Sequence, residues 1–258
     1  MTPPDLASLN DRGLLLGDGL FETMLAVDGR IAHVPAHLDR MAAGCATLGL
    51  PFDRRRAEDT ALAVVPAHGR FAIRLTLTAG PGGRGLDRPD APAIRLFAAA
   101  APSAPVTTPA ALIIAGARRN EGSPAARLKT LSYLDNVLAR SEARAAGADE
   151  AVMLNNRGEV ACAAAANLFW LSDGRLFTPR LDCGVLAGVT RARLLAAEPV
   201  EEVAAGIEAL ERAEAVVLTN SLIGVRPVFR LGGRTWSDHE LAARLAALLA
   251  RQGDLRSA

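Results

Sequence analysis

The sequence predicts a mixed α/β protein of two domains, with antiparallel-rich sheets and flanking helices. Three observations carry that expectation. Short alternating apolar runs are closed by Asp-Gly and Arg-Gly turn pairs, as in hairpins. Between them lie stretches whose apolar residues recur at helical spacing. A Pro-, Ala- and Thr-rich stretch from Ala101 to Pro109 then divides the 258 residues into a smaller segment, 1–104, and a larger one, 105–258. With 50% hydrophobic and 22% charged residues, either segment buries a core without a disulfide or metal staple.

In chain order, Leu20 to Val27 alternates, turns at Asp28-Gly29 and returns through Ile31. Ala36 to Leu48 carries apolar residues at 38, 41, 45 and 48 and reads as a helix, leaving Asp39 and Arg40 off the main stripe. Phe71 to Ala79 and Ala93 to Ala100 read as strands joined by a glycine-rich loop. After the linker come a strand from Ala111 to Gly116 and a loop through Pro124. A helix is expected from about Leu128 to Ala145, with apolar residues at 128, 131, 134 and 138. The text from Ala151 to Thr178 alternates and turns at Arg157-Gly158 and Asp173-Gly174, which predicts an antiparallel meander with one strand running from Val160 to Leu171. A helix opens near Gly188-Val189-Thr190, a buried-type strand covers Ala215 to Leu218, and an amphipathic helix spans Asp238 to Arg251.

Charge narrows the function classes. Twenty-nine basic residues stand against 28 acidic ones with signs interspersed, and Arg54-Arg55-Arg56 is the sole basic cluster, so nucleic acid is not an expected partner. No apolar run reaches membrane-spanning length, and the start, Met1 to Asn10, has no leader character, so a cytoplasmic protein is expected. Cys45, Cys162 and Cys183 form no pair with metal or disulfide spacing. His33 and His37 flank Pro35, a pair that fits solvated or locally bonded histidines, and no metal site is expected.

The basic residues are unevenly divided. All are Arg except Lys129, and Tyr133, four residues on, is the sole Tyr. Arg cannot lose its proton or form an imine, whereas a primary amine of lowered pKa attacks carbonyls and holds a Schiff base. On the expected helix, residues 129 and 133 share a face. A solvated lysine surviving a strong arginine bias has the same count, so the surroundings decide.

Two glycine-containing stretches are relevant. Gly80-Pro81-Gly82-Gly83-Arg84-Gly85 matches GxGxxG, but Leu86 to Pro92, with two prolines, cannot supply the helix that a dinucleotide site needs. The loop instead offers Arg84 to an anion, or is an ordinary glycine turn. Gly188-Val189-Thr190 at a helix start is backbone that cradles phosphate, and Asn220-Ser221 at a strand end offers a second such place. Each alone also fits a plain cap. An imine-forming lysine with a phosphate cradle implies pyridoxal 5'-phosphate.

Several stretches together resemble the class IV aminotransferase family, the fold-type IV pyridoxal-phosphate enzymes. They are Gly17 to Thr23, His37-Leu38-Asp39-Arg40, Lys129 to Asn136, Asn167-Leu168-Phe169, Gly184 to Arg191, and Thr219-Asn220-Ser221 leading to Pro227, and the resemblance covers nearly the whole chain. The resemblance implies two α/β domains with the cofactor between them, and a homodimer acting on a small-molecule amino substrate. It implies that Lys129 holds the cofactor, that Arg40, Val189, Thr190 and Ser221 hold its phosphate, that Leu186 packs on the ring, and that Tyr133 reaches the ring hydroxyl.

One position departs from the pattern. Where the family carries a glutamate beside the pyridine nitrogen, alignment through Ala166 to Phe169 places Cys162; Glu159 is the candidate in a shifted register. A thiol with a reference pKa near 8.5 is a weaker partner for the ring nitrogen than a carboxylate. Transamination should suffer most, whereas a lyase step ending in an aromatic product has its own driving force. Within the family, the substrate positions correspond to Phe21, Arg84, Leu86 and Asn220. A D-amino-acid aminotransferase would have tyrosine and histidine where Phe21 and Leu86 stand. Gly82 to Gly85, Ala165 to Trp170, Thr178 to Asp182 and Asn220 are similar to the members that cleave 4-amino-4-deoxychorismate to 4-aminobenzoate and pyruvate for folate synthesis, although those carry tyrosine at position 86 and threonine at 22. The expected function is that lyase reaction; a branched-chain or D-amino-acid aminotransferase, or a catalytically weak cofactor-binding relative, are the alternatives.

Overall fold

The computed structural model describes residues 9–83, 85–237 and 240–251. Its contacts gather into two compact units, one running to Ala104 and including Leu128–Ser132, the other comprising Pro105–Arg127 and the chain from Tyr133 onward. Lys129 therefore packs with the N-terminal unit, whereas the sequence boundary at 104/105 assigned it to the C-terminal domain.

The N-terminal unit is built on a four-stranded antiparallel sheet of β1 (Gly19–Val27), β2 (Arg30–Ile31), β3 (Arg70–Thr78) and β4 (Arg95–Pro102), in the order β2-β1-β3-β4. The β1–β2 turn has Asp28 and Gly29 both at positive φ, 45° and 78°, as a type I′ turn requires. Three helices accompany the sheet: α1 (Arg12–Leu16), α2 (Val34–Leu48) and α3 (Arg54–Leu62). The sequence reading left α1 and α3 unassigned; each opens on an aspartate cap, Asp11 to Gly13 N–H and Asp53 to Arg56 N–H. Leu38, Met41 and Cys45 of α2 pack with Leu20 and Met24 of β1 and with Ile73, Leu75 and Leu77 of β3. The helix can lie close because Gly44 faces Leu20, where a Cβ would come within 2.8 Å of a Leu20 methyl.

The expected helix over 128–145 begins only at α4 (Leu134–Ala145), with Tyr133 as its cap residue. Residues Leu128–Ser132 are extended along β1: Phe21 N–H donates to the Lys129 carbonyl (2.9 Å) and Leu131 N–H to the Gly19 carbonyl (3.0 Å). Backbone groups spent on a strand cannot serve a helix, so Lys129 and Tyr133 do not share a helical face. The close approach depends on two glycines. A Cβ on Gly17 would meet the Ser132 hydroxyl at 2.2 Å, and one on Gly19 would meet the Leu77 carbonyl at 2.2 Å and a Leu131 methyl at 2.9 Å.

The C-terminal unit contains β5 (Ala110–Ile114), β6 (Glu150–Leu154), β7 (Val160–Ala163), β8 (Asn167–Ser172), β9 (Arg175–Pro179), β10 (Val200–Val203), β11 (Ala215–Asn220), β12 (Gly224–Leu231) and β13 (Arg234–Thr235). They form one sheet in the order β10-β9-β8-β11-β12-β5-β6-β7, with β13 on β12. The predicted meander is thus split. The run from Val160 to Leu171 breaks at Ala164–Ala166, where the Ala163 N–H donates to the Ala166 carbonyl, and β7 and β8 lie apart in the strand order. The sheet is also mixed, since β5 pairs in parallel with both β6 and β12, and β10 with β9. Both faces are covered. Leu168, Trp170, Val216 and Leu218 point into one cluster, while Phe169 and Val217 point into another with Leu194 and with Leu241, Leu245 and Leu249 of α7 (Glu240–Arg251). That two-sided burial explains the continuous apolar run in β11. The first two residues of the predicted last helix, Asp238 and His239, lie outside the described residues. The unit's remaining helices are α5 (Val189–Ala197) and α6 (Glu208–Glu211). Among the described residues no helix is long and apolar enough to cross a membrane.

Candidate active site

In the N-terminal unit the site grows from β1. Residues 20, 22 and 24 face the core, and residues 21 and 23 the opposite side. Thr23 pairs with Arg74 of β3, so Phe21 and Arg74 are diagonal neighbours on that side. The Phe21 ring lies between two cations: the Arg74 guanidinium carbon is 3.8 Å from its centroid and Lys129 Nζ is 4.2 Å. A ring face between cations is a favourable setting for both.

On the core side, Glu22 is 1% exposed and carries three charge-assisted contacts. Arg40 donates from Nε to Oε1 (2.8 Å) and from Nη2 to Oε2 (2.5 Å), and His37 Nδ1 lies 2.7 Å from Oε2. Arg40 and His37 project from neighbouring turns of α2, three residues apart, which is why both reach one carboxylate. Burial alone would raise the Glu22 pKa, but the bonds from His37 and Arg40 overcome it and hold the carboxyl down at about 2. Burial pushes the His37 imidazole down, against the pull of Glu22.

Lys129 takes its character from this surrounding. Burial, then the positive charge of Arg40 and that of Arg74, lower its amine to about 8, with Glu22 opposing. A lysine near 8 is substantially neutral in mildly alkaline water and can act as nucleophile or base. Of the sequence-derived candidates in this unit, the fold brings Phe21, Arg40 and Lys129 together. Leu86 stands on the loop after β3, 80% exposed, and Arg84 lies outside the described residues. Arg74, Glu22 and His37 are the residues sequence reasoning did not place in the site; only strand register and helix packing select them.

In the C-terminal unit Asn167 ties Leu186 and the start of α5 to β8. Its amide donates to the Leu186 carbonyl (3.0 Å), and its Oδ1 would lie 2.0 Å from a Cβ on Gly188. The approach to α5 is thereby fixed against β8, and position 188 admits only glycine. Helix α5 opens at Gly188 with no side chain capping its first turn, so Val189 and Thr190 start a helix whose leading N–H groups are available to an anion. Thr219, on the strand paired with β8, has a fully buried hydroxyl with no hydrogen-bond partner among the described residues. Asn220 donates from its amide to the Ala165 carbonyl (2.9 Å) and accepts from Leu222 and Ile223 N–H (2.9 Å each), so it shapes the turn that carries Ser221. Tyr133 lines a groove of about 580 Å³ with Asn136, Arg140, Arg144 and Ala165.

Cys162 is buried at 6% exposure in an apolar cluster with Ala115, Met153, Cys183 and Val185. Burial raises its thiol, Glu150 adds to this and Arg119 opposes it, so the group is a neutral thiol at pH 7. Arg119 is itself engaged with the Gly184 carbonyl (3.2 Å), the Ala126 carbonyl and Asn136 Oδ1 (3.1 Å). Glu159, the alternative to Cys162, is bound to Arg157 (2.7 Å) and the Asn155 amide (2.7 Å).

The fold and these residues define a class that comparison with known proteins makes specific. The family described as amino-transferase class IV matches residues 19–231. Aminodeoxychorismate lyase of Vibrio harveyi is 30% identical, over 88% of each chain. A Methanocaldococcus jannaschii protein named provisionally as a branched-chain-amino-acid aminotransferase is 31% identical, over 97% of this chain and 91% of its own. The structure of 4-amino-4-deoxychorismate lyase from Pseudomonas aeruginosa superposes with a TM-score of 0.86 at 31% identity, over 96% of both chains. The chain belongs to the class IV amino-transferase family.

Two measurements test the cluster in the N-terminal unit. The folded pKa of Glu22, about 2, is below its ordinary value of 4.5. Its stabilising contribution is therefore complete above pH 4.5 and lost as pH falls through about 2, on the order of 3 kcal/mol in all. Denaturant unfolding between pH 5 and 2 should be steeper in pH for the parent than for Glu22→Gln. Because Lys129 is the sole lysine, labelling of cofactor-free protein with an amine reagent, read by mass at residue 129, should rise with a midpoint near pH 8; a midpoint above 10 would contradict the environment described.

Proposed function

We propose that the chain is a pyridoxal-phosphate-dependent lyase that converts 4-amino-4-deoxychorismate to 4-aminobenzoate and pyruvate. The observation that carries the reading is Lys129, a lone lysine held over Phe21 beside Arg40 and Arg74 with its amine lowered to about 8. The chain's residues fit the cofactor in three further respects: the uncapped start of α5, the glycine that Asn167 demands at 188, and the unpartnered Thr219 hydroxyl.

Lys129 would hold the cofactor, with Arg40, Val189, Thr190 and Ser221 on the phosphate, Leu186 against the ring, Tyr133 toward its hydroxyl and Cys162 toward its nitrogen. When bound, pyridoxal phosphate supplies an electron sink for negative charge at the carbon bearing the amino group. Lys129 would act as the base that takes the proton from that carbon and the acid that returns a proton as pyruvate departs. Glu22 and His37 keep Arg40 in one rotamer, so its charge is fixed in place before ligand arrives. Arg84 would take a substrate carboxylate, Asn220 a polar group of the substrate, and Phe21 and Leu86 its apolar flank.

Cleavage is favoured over transamination by the neutral thiol at 162, which cannot keep a ring nitrogen protonated as a carboxylate does. The aminotransferase reading draws on Glu22, which differs from the lyase pattern, and on the archaeal relative. We further propose a cytoplasmic homodimer. Leu14, Leu15 and Leu16 on α1 and Leu134, Val137 and Leu138 on α4 are all more than 40% exposed, the kind of apolar surface that a second copy covers.

The test is pyruvate release from 4-amino-4-deoxychorismate by cofactor-loaded protein, with the visible cofactor band recorded alongside. Lys129→Ala should lose the band and at least about a thousandfold in turnover, as removal of a covalent catalyst does. A band without pyruvate would sink the lyase and leave the aminotransferase, to be assayed on branched-chain and D-amino acids, or an inert binder. Sedimentation equilibrium should give twice the 26.9 kDa chain mass; a monomer at micromolar concentration would refute the dimer.

A further inference from the structure

On the loop that follows β3, residues 85–88 lie outside any helix or strand, and Gly85, Leu86 and Asp87 are exposed. The loop is held from beneath by a guanidinium. Arg12 of α1 is 4% exposed, and three successive carbonyls converge on it: Gly85 and Asp87 on Nη1 (3.4 and 3.0 Å) and Leu86 on Nη2 (2.7 Å). Its Nε donates to Asp18 Oδ2 at 2.8 Å. Asp18 receives a second arginine from the far end of the loop, Arg88, through Nε (2.9 Å) and Nη2 (2.5 Å), and Arg88 also reaches the Leu48 carbonyl. Gly82 lies flat on the Arg12 stem, where a Cβ would come within 2.7 Å of Cγ and Cδ.

A buried arginine spent on backbone carbonyls is a costly way to add stability. It is an effective way to fix curvature, because the planar fork dictates where each carbonyl must lie, which a lysine point charge does not. The curl turns the Leu86 side chain outward. The same Asp18 immediately precedes β1 and accepts the Ala79 N–H through its own carbonyl (3.0 Å), so the loop is referenced to the strand along which Lys129 runs.

We propose that Arg12 and Asp18, with Arg88, are positioning residues that set the Gly85–Arg88 backbone, and with it the side chain at position 86, for substrate recognition. The proposal rests on the reading given under Proposed function, in which position 86 contacts substrate.

The test uses cofactor-loaded protein carrying Arg12→Lys, Asp18→Asn or Arg88→Gln, each alone and combined with Leu86→Ala. Amide hydrogen exchange at residues 85–88 without substrate should accelerate about tenfold in Arg12→Lys, and KM for 4-amino-4-deoxychorismate should rise about tenfold with kcat within about threefold and the visible band unchanged. Leu86→Ala should alter KM in the parent but add little in the Arg12→Lys background, since the two act through one contact. Faster exchange with unchanged KM would overturn the proposal, as would additive effects of the two substitutions. If Arg12→Lys fails to fold, the partly exposed Arg88→Gln carries the same expectation at about threefold. A parent that releases no pyruvate would overturn the lyase reading in the parent itself, and the variants would then be compared on whichever amine it processes; a parent active on no amine would overturn the positioning role too.

Discussion

The residues gathered around Lys129 depend on the pairing of Leu128–Ser132 with the start of β1. Two backbone hydrogen bonds, Phe21 to Lys129 and Leu131 to Gly19, bring the sole lysine to the edge of a sheet to which it is distant in sequence. Everything that gives its amine a useful pKa follows from that register. Phe21 supports the ammonium, and Arg40 and Arg74 lie near enough to disfavour its charge. Had these residues continued helix α4 toward the N-terminus, those backbone groups would have served a helix and the side chain would have lost this setting. The pairing in turn depends on the absence of side chains at Gly17 and Gly19, since either Cβ would collide with the incoming strand or its neighbour.

Around that contact, charge is arranged in depth. Glu22 neutralises Arg40 and fixes its direction, His37 completes the carboxylate's hydrogen bonding, and the cost of burying the group is offset by bonds to charged or polar donors on a single helix face. The C-terminal unit uses neutral means for a comparable end. Asn167 reaches across to the Leu186 carbonyl and enforces glycine at 188, so an uncapped helix start is held in place by amide chemistry rather than ion pairs.

How much of this the sequence discloses varies with the range of the signal. The β1–β2 hairpin was readable because Asp28-Gly29 is a local turn code, and β11 because a sheet covered on both faces writes a continuous apolar run. The helix over 128–145 starts later than its apolar spacing predicts, because Leu128 and Leu131 fit a helical period while the backbone bonds that hold the segment extended, Phe21 to Lys129 and Leu131 to Gly19, join residues far apart in sequence. The split of the expected meander is not written in the sequence, because period two gives strand existence and not strand neighbours, and the break at Ala164–Ala166 is poor in turn residues. In the site, Lys129 stood out by scarcity, whereas Arg74 and Arg12 are two among 28 arginines whose surroundings only register and packing supply. Glu22 and His37 are 15 residues apart and meet solely because α2 lies on β1.

The excursion of Leu128–Ser132 has a consequence for how the chain can be assembled. The covalent thread leaves the first unit at residue 104, returns for five residues, and leaves again at 133. During synthesis the N-terminal sheet can form its hairpins early, but the segment that carries Lys129 arrives only after β5 of the other unit has been made. Neither unit is a contiguous stretch, so a cut at the linker would yield a first half without its lysine and a second half carrying an orphan strand. Such interlacing raises the sequence separation of the contacts that complete the first unit and ties its completion to the emergence of the second. The lysine segment is therefore a late arrival in the unit it joins, and gene fusions or truncations at residue 104 would separate the Lys129 amine from its surroundings while leaving most of both cores intact.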